Sequence, residues 1–399
     1  MWAWIESIAR ETFRRYNYTE VRMPIFEETR LFVRGVGESS DIVRKEMFTF
    51  SDQGGREYAL RPEGTAGVAR SYVENSLDRL AQPLKLWYAG PMFRYERQQK
   101  GRYRQHVQIG AEAIGSDDPL MDVEAMALLY DIHQAAGVRE EVIHINNLGD
   151  LPTRRRYVPE LKAYLENHRS ELDPDSISRL EINPLRTFDS KDKNTQALLA
   201  EAPSIDDFLT EDAAAHFETV TQGLDALGVP YKIDDRLVRG FDYYTLTVFE
   251  AKSPVLGSQD AVGGGGRYNG LVEEIGGPDV PGIGFGSGVE RILLAAEGPS
   301  ETPGVDVYFA TLSEDARMPA LSLVGALRSE GVVCELDYAG RSAKSQFKQA
   351  DRLGASWTAV IGDEELAGGV AKLRNMSTGE EQKISIAGGH NDLLRAISG

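Results

Sequence analysis

The chain has 399 residues, which at roughly 150 residues per domain predicts two or three domains and excludes a peptide hormone or an isolated binding module. Apolar residues make up 41% and charged residues 27%, an ordinary balance for a globular protein that buries real cores and too apolar for wholesale disorder. A formal net charge of −18 with a pI near 4.9 argues against a nonspecific nucleic-acid coat or a basic membrane-surface protein.

The first sixteen residues place Trp4, Ile5, Ile8, Ala9 and Phe13 at helical period with charges on the other side, and without a long apolar run or a small-residue cleavage site they predict a folded helix, not a signal. No stretch approaches roughly 18 uninterrupted apolar residues, so no membrane span is expected. Up to about residue 136, strand-like runs such as 84–95 alternate with helical runs such as 121–137, a mixed α+β segment. Within it, LRPEGT (60–65) ends a strand in a turn that presents Glu63 and Thr65, a pair suited to an ammonium group and equally at home in an ordinary turn.

Segment 94–104 carries Arg94, Arg97, Lys100, Arg102 and Arg104 against a single acid, Glu96. With Gly101 central and strand-like flanks it reads as a strand, a basic loop and a second strand. Guanidinium forks pair bidentately with phosphate oxygens, so a triphosphate or an RNA backbone would suit it, and a solvated charged hairpin is the plain alternative.

Between about Leu151 and Gly228 strand signals vanish and Pro152, Pro159, Pro174 and Pro184 punctuate helix-like pieces, which predicts a mostly helical insertion. Strand signals return at 243–251, after an isolated Arg239 and the pair Tyr243 and Tyr244, whose phenols would supply polar ends in an apolar pocket or simply mark an aromatic strand. The four glycines at 263–266 are embedded in patterned sequence and point to close backbone approach. GIGFGSG then places glycine at 282, 284, 286 and 288, a period of two that leaves one strand face without side chains, either for a flat ring or for helix-on-strand packing. The following helix brings Glu290 and Arg291 to its first turn.

GPSETPG (298–304) reads as a domain linker, and the tail beyond it reads β-α-β-α-β-β, a small α/β domain. There Arg341, Lys344, Lys348 and Arg352 are spaced to stack on one helix face, suited to a phosphate backbone or to solvent. The single cysteine, Cys334, leaves no intramolecular disulfide or cysteine-based zinc cluster and fits a reducing compartment. Rossmann and P-loop strings, G-x-S-x-G and H-E-x-x-H are missing, and the six histidines have no ligand spacing, so triad and zinc readings are disfavoured.

Taken together, YTEVRMPIFE with Pro24, FRYERQQKGRYRQHVQIGAE and GIGFGSGVERILL resemble motifs 1, 2 and 3 of class II aminoacyl-tRNA synthetases. LVRGFDYYTLTVFE and AVGGGGRYNGL resemble the two signatures of the histidyl-tRNA synthetase family, and the likeness covers nearly the whole chain. The resemblance implies an α+β fold: an antiparallel-sheet catalytic core over 1–298 with a helical insertion at about 151–228, and a small α/β anticodon-binding domain over 304–399. It implies that L-histidine is activated with ATP, accompanied by Mg2+, to histidyl-adenylate and transferred to tRNA(His), in a cytoplasmic homodimer formed through motif 1. By the same resemblance Arg94 and Arg239 hold the α-phosphate, Arg291 the γ-phosphate end, and the strand at Gly286 and Gly288 receives adenine. Glu63, Gly64, Thr65 and Gln108 take the amino and carboxylate ends of histidine, and Glu112 and Tyr244, with Tyr243 beside them, bracket the imidazole. Arg102, Arg104, Arg341, Lys344 and Lys348 are the expected tRNA contacts.

Gln98 stands where the family commonly has proline, Leu246 where it has a small or polar residue, and the chain begins inside the first helix where an extra strand is usual. The rival reading is the histidine-sensing regulatory subunit of ATP phosphoribosyltransferase, which shares the catalytic core but generally lacks the tail and intact motif 2 and Arg239 signatures.

Overall fold

A computed structural model describes residues 1–37, 40–257, 260–298 and 304–398. The linker expected at 298–304 lies, apart from its two end residues, outside the described residues. The chain divides into two compact units, Met1–Pro299 and Ser300–Gly399.

The first unit runs α1 (Trp2–Arg15), β1 (Thr19–Glu20), β2 (Phe26–Glu28), α2 (Thr29–Val36), β3 (Thr49–Ser51), β4 (Glu57–Leu60), α3 (Thr65–Glu74), β5 (Leu84–Phe93), β6 (Gln105–Ile114), α4 (Pro119–Ala135) and β7 (Val142–Asn147). A stretch without strands follows, with α5 (Leu151–Asn167), α6 (Pro174–Arg179), α7 (Lys193–Leu199) and α8 (Glu211–Leu227) joined by 3-10 turns. The unit closes with β8 (Tyr231–Ile233), β9 (Thr245–Lys252), β10 (Ala261–Arg267), α9 (Leu271–Glu274), β11 (Gly282–Gly288) and α10 (Val289–Ala295).

Local chemistry sets the helix ends. Asp118 caps α4 by accepting from the Leu120 N–H, Asp150 caps α5 through Thr153, and Thr210 caps α8 through Ala213, each satisfying a donor the helix leaves open. Gly228 ends α8 at φ +66°, a left-handed turn that glycine adopts without a Cβ penalty. Pro152 and Pro174 sit in first turns, but Pro159, expected to punctuate, lies inside α5, which continues through it. The buried stripe Tyr157, Leu161 and Leu165 packs on Leu180 and Ile205, and this packing outweighs the missing N–H.

Eight strands form one sheet in the order β1-β5-β6-β11-β10-β9-β7-β8, antiparallel except for parallel pairs at its two ends. Helices α1, α4 and α10 cover one face, burying Phe13, Met126, Leu129 and Ile292 against Phe249 and Phe285. Burial of each such side chain contributes about 1.5–3 kcal/mol. On the opposite face α3 and the 237–244 loop pack against Tyr88, Tyr268 and Leu271. A separate three-stranded sheet, β2-β4-β3, leaves Phe26 and Phe50 half exposed.

The end of β10 is held by a charge network inside the protein. Arg267 and Asp122 are both fully buried; the guanidinium donates to the Asp122 carboxylate (Nε to Oδ2 3.0 Å) and to the carbonyls of Ser116 (2.8 Å) and Asp118 (3.1 Å). His216 of α8 reaches the same carboxylate at 3.2 Å, joining the helical stretch to α4 and the sheet. Burial opposes the charge on Asp122, and His216 and Arg267 together hold its carboxyl below the usual range.

The second unit contains β12 (Val307–Thr311), α11 (Arg317–Ser329), β13 (Cys334–Leu336), α12 (Ala343–Arg352), β14 (Trp357–Ile361), α13 (Asp363–Ala367), β15 (Val370–Asn375), β16 (Glu381–Ser385) and α14 (Asn391–Ser398). Its sheet order is β13-β12-β14-β15-β16, with the first three strands parallel and β12 buried along its whole length. Three elements exceed the expected pattern: the short α13, a fifth strand, and the terminal α14, whose Leu393 seals the core. The basic face of α12 also needs correcting. Lys344, Lys348 and Arg352 are exposed at four-residue spacing, but Arg341 precedes the helix and its guanidinium is held by Asp337 at 2.5 Å.

Substituting Asp122 by Asn leaves the Arg267 charge buried without a counter-charge, and is expected to lower stability by about 3–5 kcal/mol in chemical denaturation. A loss under about 1 kcal/mol would show that the pair is not desolvated.

Candidate active site

The centre of the sheet has a face almost free of side chains, and the strand registers make it. Tyr88 of β5 lies opposite Gly110 of β6, Gly110 opposite Gly286 of β11, and Gly286 opposite Gly264 of β10; one pair further along, Glu112, Gly284 and Gly266 align. Polar side chains of β6 fold across this floor. A Cβ at Gly286 would stand 1.7 Å from Gln108 Nε2, and one at Gly284 1.8 Å from Glu112 Oε2. The expectation of a bare glycine strand is therefore corrected: Gly282, Gly284 and Gly286 are roofed by Tyr268, Glu112 and Gln108, and only Gly288 has ordinary room, its nearest neighbour being the aliphatic part of Arg291 at 3.6 Å.

The turn after β4 delivers the carboxylate Glu63, which accepts from the N–H groups of Thr65 (2.6 Å) and Ala66 (2.9 Å) and so caps α3. Gly64 is a packing residue, since a Cβ there would lie 2.2 Å from the Tyr88 ring. Thr65 Oγ1 donates to Glu112 Oε1 at 2.7 Å, which leaves Glu112 Oε2 and the Tyr243 hydroxyl buried without hydrogen-bond partners. Burial drives the Glu112 carboxyl well above its ordinary range; the nearby Glu63 adds to this and the Thr65 hydrogen bond opposes it. Burial likewise raises Glu63. Tyr243 and Tyr244 pack with ring centres 4.6 Å apart, and Phe241 and Tyr268 extend the aromatic wall. Buried polar atoms left open beside two dry carboxyls suit a small ligand that brings a cation and hydrogen-bond donors.

The cations converge from three directions. Arg94 donates from Nε to the Pro62 carbonyl at 2.8 Å and lies 5.9 Å over the Phe241 ring. Arg239 pairs with Glu250 at 2.5 Å and crosses β10 where Gly264 makes room, 3.1 Å from the place of a Cβ. Burial lowers the Arg239 pKa, but the charge of Glu250, with Tyr244 and Tyr243, more than restores it. Arg291 donates from Nε to the Ala261 carbonyl, and Gly101 at the tip of the basic loop comes close to it and to Leu294, the place of a Cβ lying 3.4 Å from Arg291 Nη1. Burial and the facing charge of Arg102 lower the Arg291 pKa, a pairing of like charges that an anion would relieve.

Arg94, Arg239 and Arg291 line one cleft of about 760 Å³ together with Glu63, Thr65, Gln108, Tyr243, Tyr244, Gly286, Gly288 and Arg102. Three of the residues predicted in the first unit are not on its wall. Glu112 lies beneath it behind Thr65, Gly64 is packed under Tyr88, and Arg104 lies 3.9 Å over the Tyr95 ring. The cleft also includes residues the sequence reading passed over: His106 and Glu250 on strands, and Arg179 and Arg186 from the helical stretch. Alternation along β6 (His106, Gln108) marks His106, whereas nothing local marks Arg186.

Behind the floor, His133 joins Glu141 and Ser287 (Nε2 to Oγ 2.8 Å), a Ser-His-Glu set that the absence of triad motifs did not foresee. All three are buried and Ser287 donates to the Val262 carbonyl at 3.1 Å, so the set braces β11 against β10 and α4. Among the described residues no group of three His, Cys, Asp or Glu side chains is placed to hold a metal ion.

An antiparallel sheet carrying a basic hairpin loop beside a glycine strand and a helix-borne arginine is the architecture of a class II aminoacyl-tRNA synthetase, the fold that the sequence resembles. The histidyl-tRNA synthetase family profile matches residues 2–292 and an anticodon-binding-domain profile matches residues 306–393. A histidine–tRNA ligase of Rubrobacter xylanophilus is 68% identical over 100% of this chain and 94% of that protein, and one of Halothermothrix orenii is 50% identical over 97% and 93%. The crystal structure of apo histidyl-tRNA synthetase from S. aureus superposes with a TM-score of 0.82 at 40% identity, covering 100% of this chain and 95% of that one. The chain belongs to the histidyl-tRNA synthetase family, and it is a ligase of that kind. The regulatory-subunit reading is not favoured, because the likeness to the ligases extends through the tail.

His106 supplies a probe of this environment. Burial, then the charge of Arg94, push its imidazole down to about 4 from 6.5. The unfolded chain takes up this proton near pH 6.5 and the folded chain only near 4, so its contribution to stability is present above 6.5 and lost as pH falls toward 4. NMR titration of the ring is expected to show a neutral imidazole at pH 6; a midpoint near 6.5 would mean that the cleft wall is wet.

Proposed function

We propose that the cleft joins L-histidine to tRNA(His) in two steps. A histidine carboxylate oxygen attacks the α-phosphorus of ATP, forming the acyl–phosphate bond of histidyl-adenylate as the bond to the β-phosphate oxygen breaks and pyrophosphate leaves. The terminal ribose hydroxyl of tRNA then attacks the acyl carbon and AMP departs. Charge develops on phosphoryl oxygens in the first step, so fixed cations are the main catalytic resource. Arg94 and Arg239 hold the α-phosphate and Arg291 the γ-phosphate end, with adenine toward Gly288, where the glycine strand has room. Mg2+ accompanying ATP would be held chiefly by the ATP phosphates, since among the described residues no group of three His, Cys, Asp or Glu side chains is placed for it, and it would supply further charge neutralisation there.

The single observation that carries the amino-acid side is the pair of buried acids Glu63 and Glu112 bridged by Thr65, with an open Glu112 oxygen beneath an aromatic wall. Glu63, Thr65 and Gln108 receive the amino and carboxylate ends of histidine. Glu112 and Tyr244, with Tyr243 beside them, take the two imidazole nitrogens, so that an apolar isostere leaves buried groups unpaired.

The first unit is assigned as the catalytic core, with residues 151–228 as its insertion, and the second as the anticodon-binding domain. The tRNA runs along Arg102 and Arg104 at the acceptor end and along Lys344 and Lys348 of α12, with Arg341 next to them already paired to Asp337. The protein is placed in the cytoplasm as a homodimer; pairing through the motif 1 region is supported by Ile25, Phe26 and Phe50, apolar side chains 48%, 50% and 43% exposed beside Pro24.

Histidine-dependent ATP–pyrophosphate exchange tests the reading. The wild-type chain is expected to exchange only with L-histidine, and Arg239→Ala to lose about 10²- to 10³-fold. No exchange by the wild type would reinstate a non-catalytic histidine sensor.

A further inference from the structure

The segment that carries Arg239, Tyr243 and Tyr244 has no regular structure between β8 and β9, yet it is packed in the cleft wall. Glu250 of β9 holds the Arg239 guanidinium directly, and the backbone that carries Arg239, Tyr243 and Tyr244 is fixed by contacts from outside the segment. Part of that support is local to the core: the Asp242 N–H donates to the Val36 carbonyl at 3.1 Å, and the Leu246 N–H and carbonyl bond Gly149 and Leu148. β7 adds Asn146, whose amide donates to the carbonyls of Asp235 (3.2 Å) and Leu237 (3.0 Å), and the helical insertion supplies the contacts nearest Arg239.

Arg186 sits in the 3-10 turn Pro184–Asp189 and is only 6% exposed. Its Nε donates to Asp189 at 2.6 Å and its other arm donates to the Gly240 carbonyl at 2.8 Å, one residue from Arg239. Asn183 donates to Asp242 at 2.8 Å, and Arg179 donates to the Arg186 carbonyl at 3.1 Å while reaching Asp41 across the cleft at 3.4 Å. A guanidinium with two donor directions can tie a carboxylate on its own turn to a carbonyl on another segment, which an ammonium does less well. Burying this guanidinium is costly unless its donors are satisfied in good geometry, and here Asp189 and the Gly240 carbonyl satisfy them together.

We propose that Arg186 is a positioning residue for adenylation: from the helical insertion it fixes Gly240, and through it the Arg239 guanidinium over the Gly264 floor. The inference rests on the assignment of Arg239 to the α-phosphate. It makes the insertion part of the activation step.

The test is pyrophosphate exchange on the full-length protein with Arg186→Met, Arg186→Lys and Arg239→Ala, singly and with Arg186→Met combined with Arg239→Ala. Displacement of a reacting group by about 1 Å costs on the order of 10²-fold, so Arg186→Met is expected to lower kcat by about that factor with a much smaller change in the KM for histidine. Arg186→Lys, which keeps a donor for Gly240, recovers part of the loss even if the methionine variant folds poorly. In the Arg239→Ala background Arg186→Met adds no further loss, since it acts through a group already gone. An impaired Arg239→Ala beside an Arg186→Met at wild-type kcat, or losses that multiply in the double variant, would overturn the positioning role alone. An Arg239→Ala variant with wild-type kcat would overturn both assignments.

Discussion

A sheet interior is a poor place for carboxylates and amides, and this protein houses them by taking the side chains off the strands beneath. Gln108 and Glu112 lie flat across β11 only because positions 286 and 284 have no Cβ. Each glycine in a strand costs about 0.5–1 kcal/mol relative to alanine, a penalty the sheet sustains at several adjacent positions in its middle. Everything else about the cleft depends on this clearance: the Thr65 link to Glu112, the placement of Tyr88 over Gly110, and the path of Arg239 over Gly264.

The same economy of space governs charge. The chain is acidic overall, yet its cleft gathers Arg94, Arg102, Arg239 and Arg291, each already engaged by an acid or a carbonyl: Arg102 by Glu96, Arg239 by Glu250, Arg94 by Pro62 and Arg291 by Ala261. Such tethers hold guanidinium groups in place before a polyanion arrives, so little reorganisation accompanies its binding. The braces lie behind the working face, in the buried Arg267–Asp122–His216 network and the His133–Glu141–Ser287 set, which fix β10 and β11 from the rear.

Much of this was legible in sequence because it is local. The motif 2 hairpin, the glycine strand running into α10 and the α+β order of the first unit follow from period and punctuation, and the family resemblance agrees with the profile and structural matches. What escaped is what depends on distant partners. Arg186 and Gly240 are 54 positions apart and the strand faces acquire their roofs only when β6 pairs with β11, so neither has a local signature. Arg341 had the spacing for α12 but lies before its first residue, where Asp337 binds it. Leu246, noted as unusual for the family, adopts φ +49° where the β9–β10 register slips, a left-handed conformation that explains why small or polar residues suit that position.

The claim that the glycine floor exists to seat polar side chains is tested most directly by calorimetric titration of L-histidine into Gly286→Ala. The three atoms nearest the new methyl all belong to the flexible Gln108 side chain, so the expected response is displacement of Gln108 with the fold retained. Histidine affinity is expected to fall by about 10- to 200-fold. Affinity within about twofold of wild type would contradict the claim.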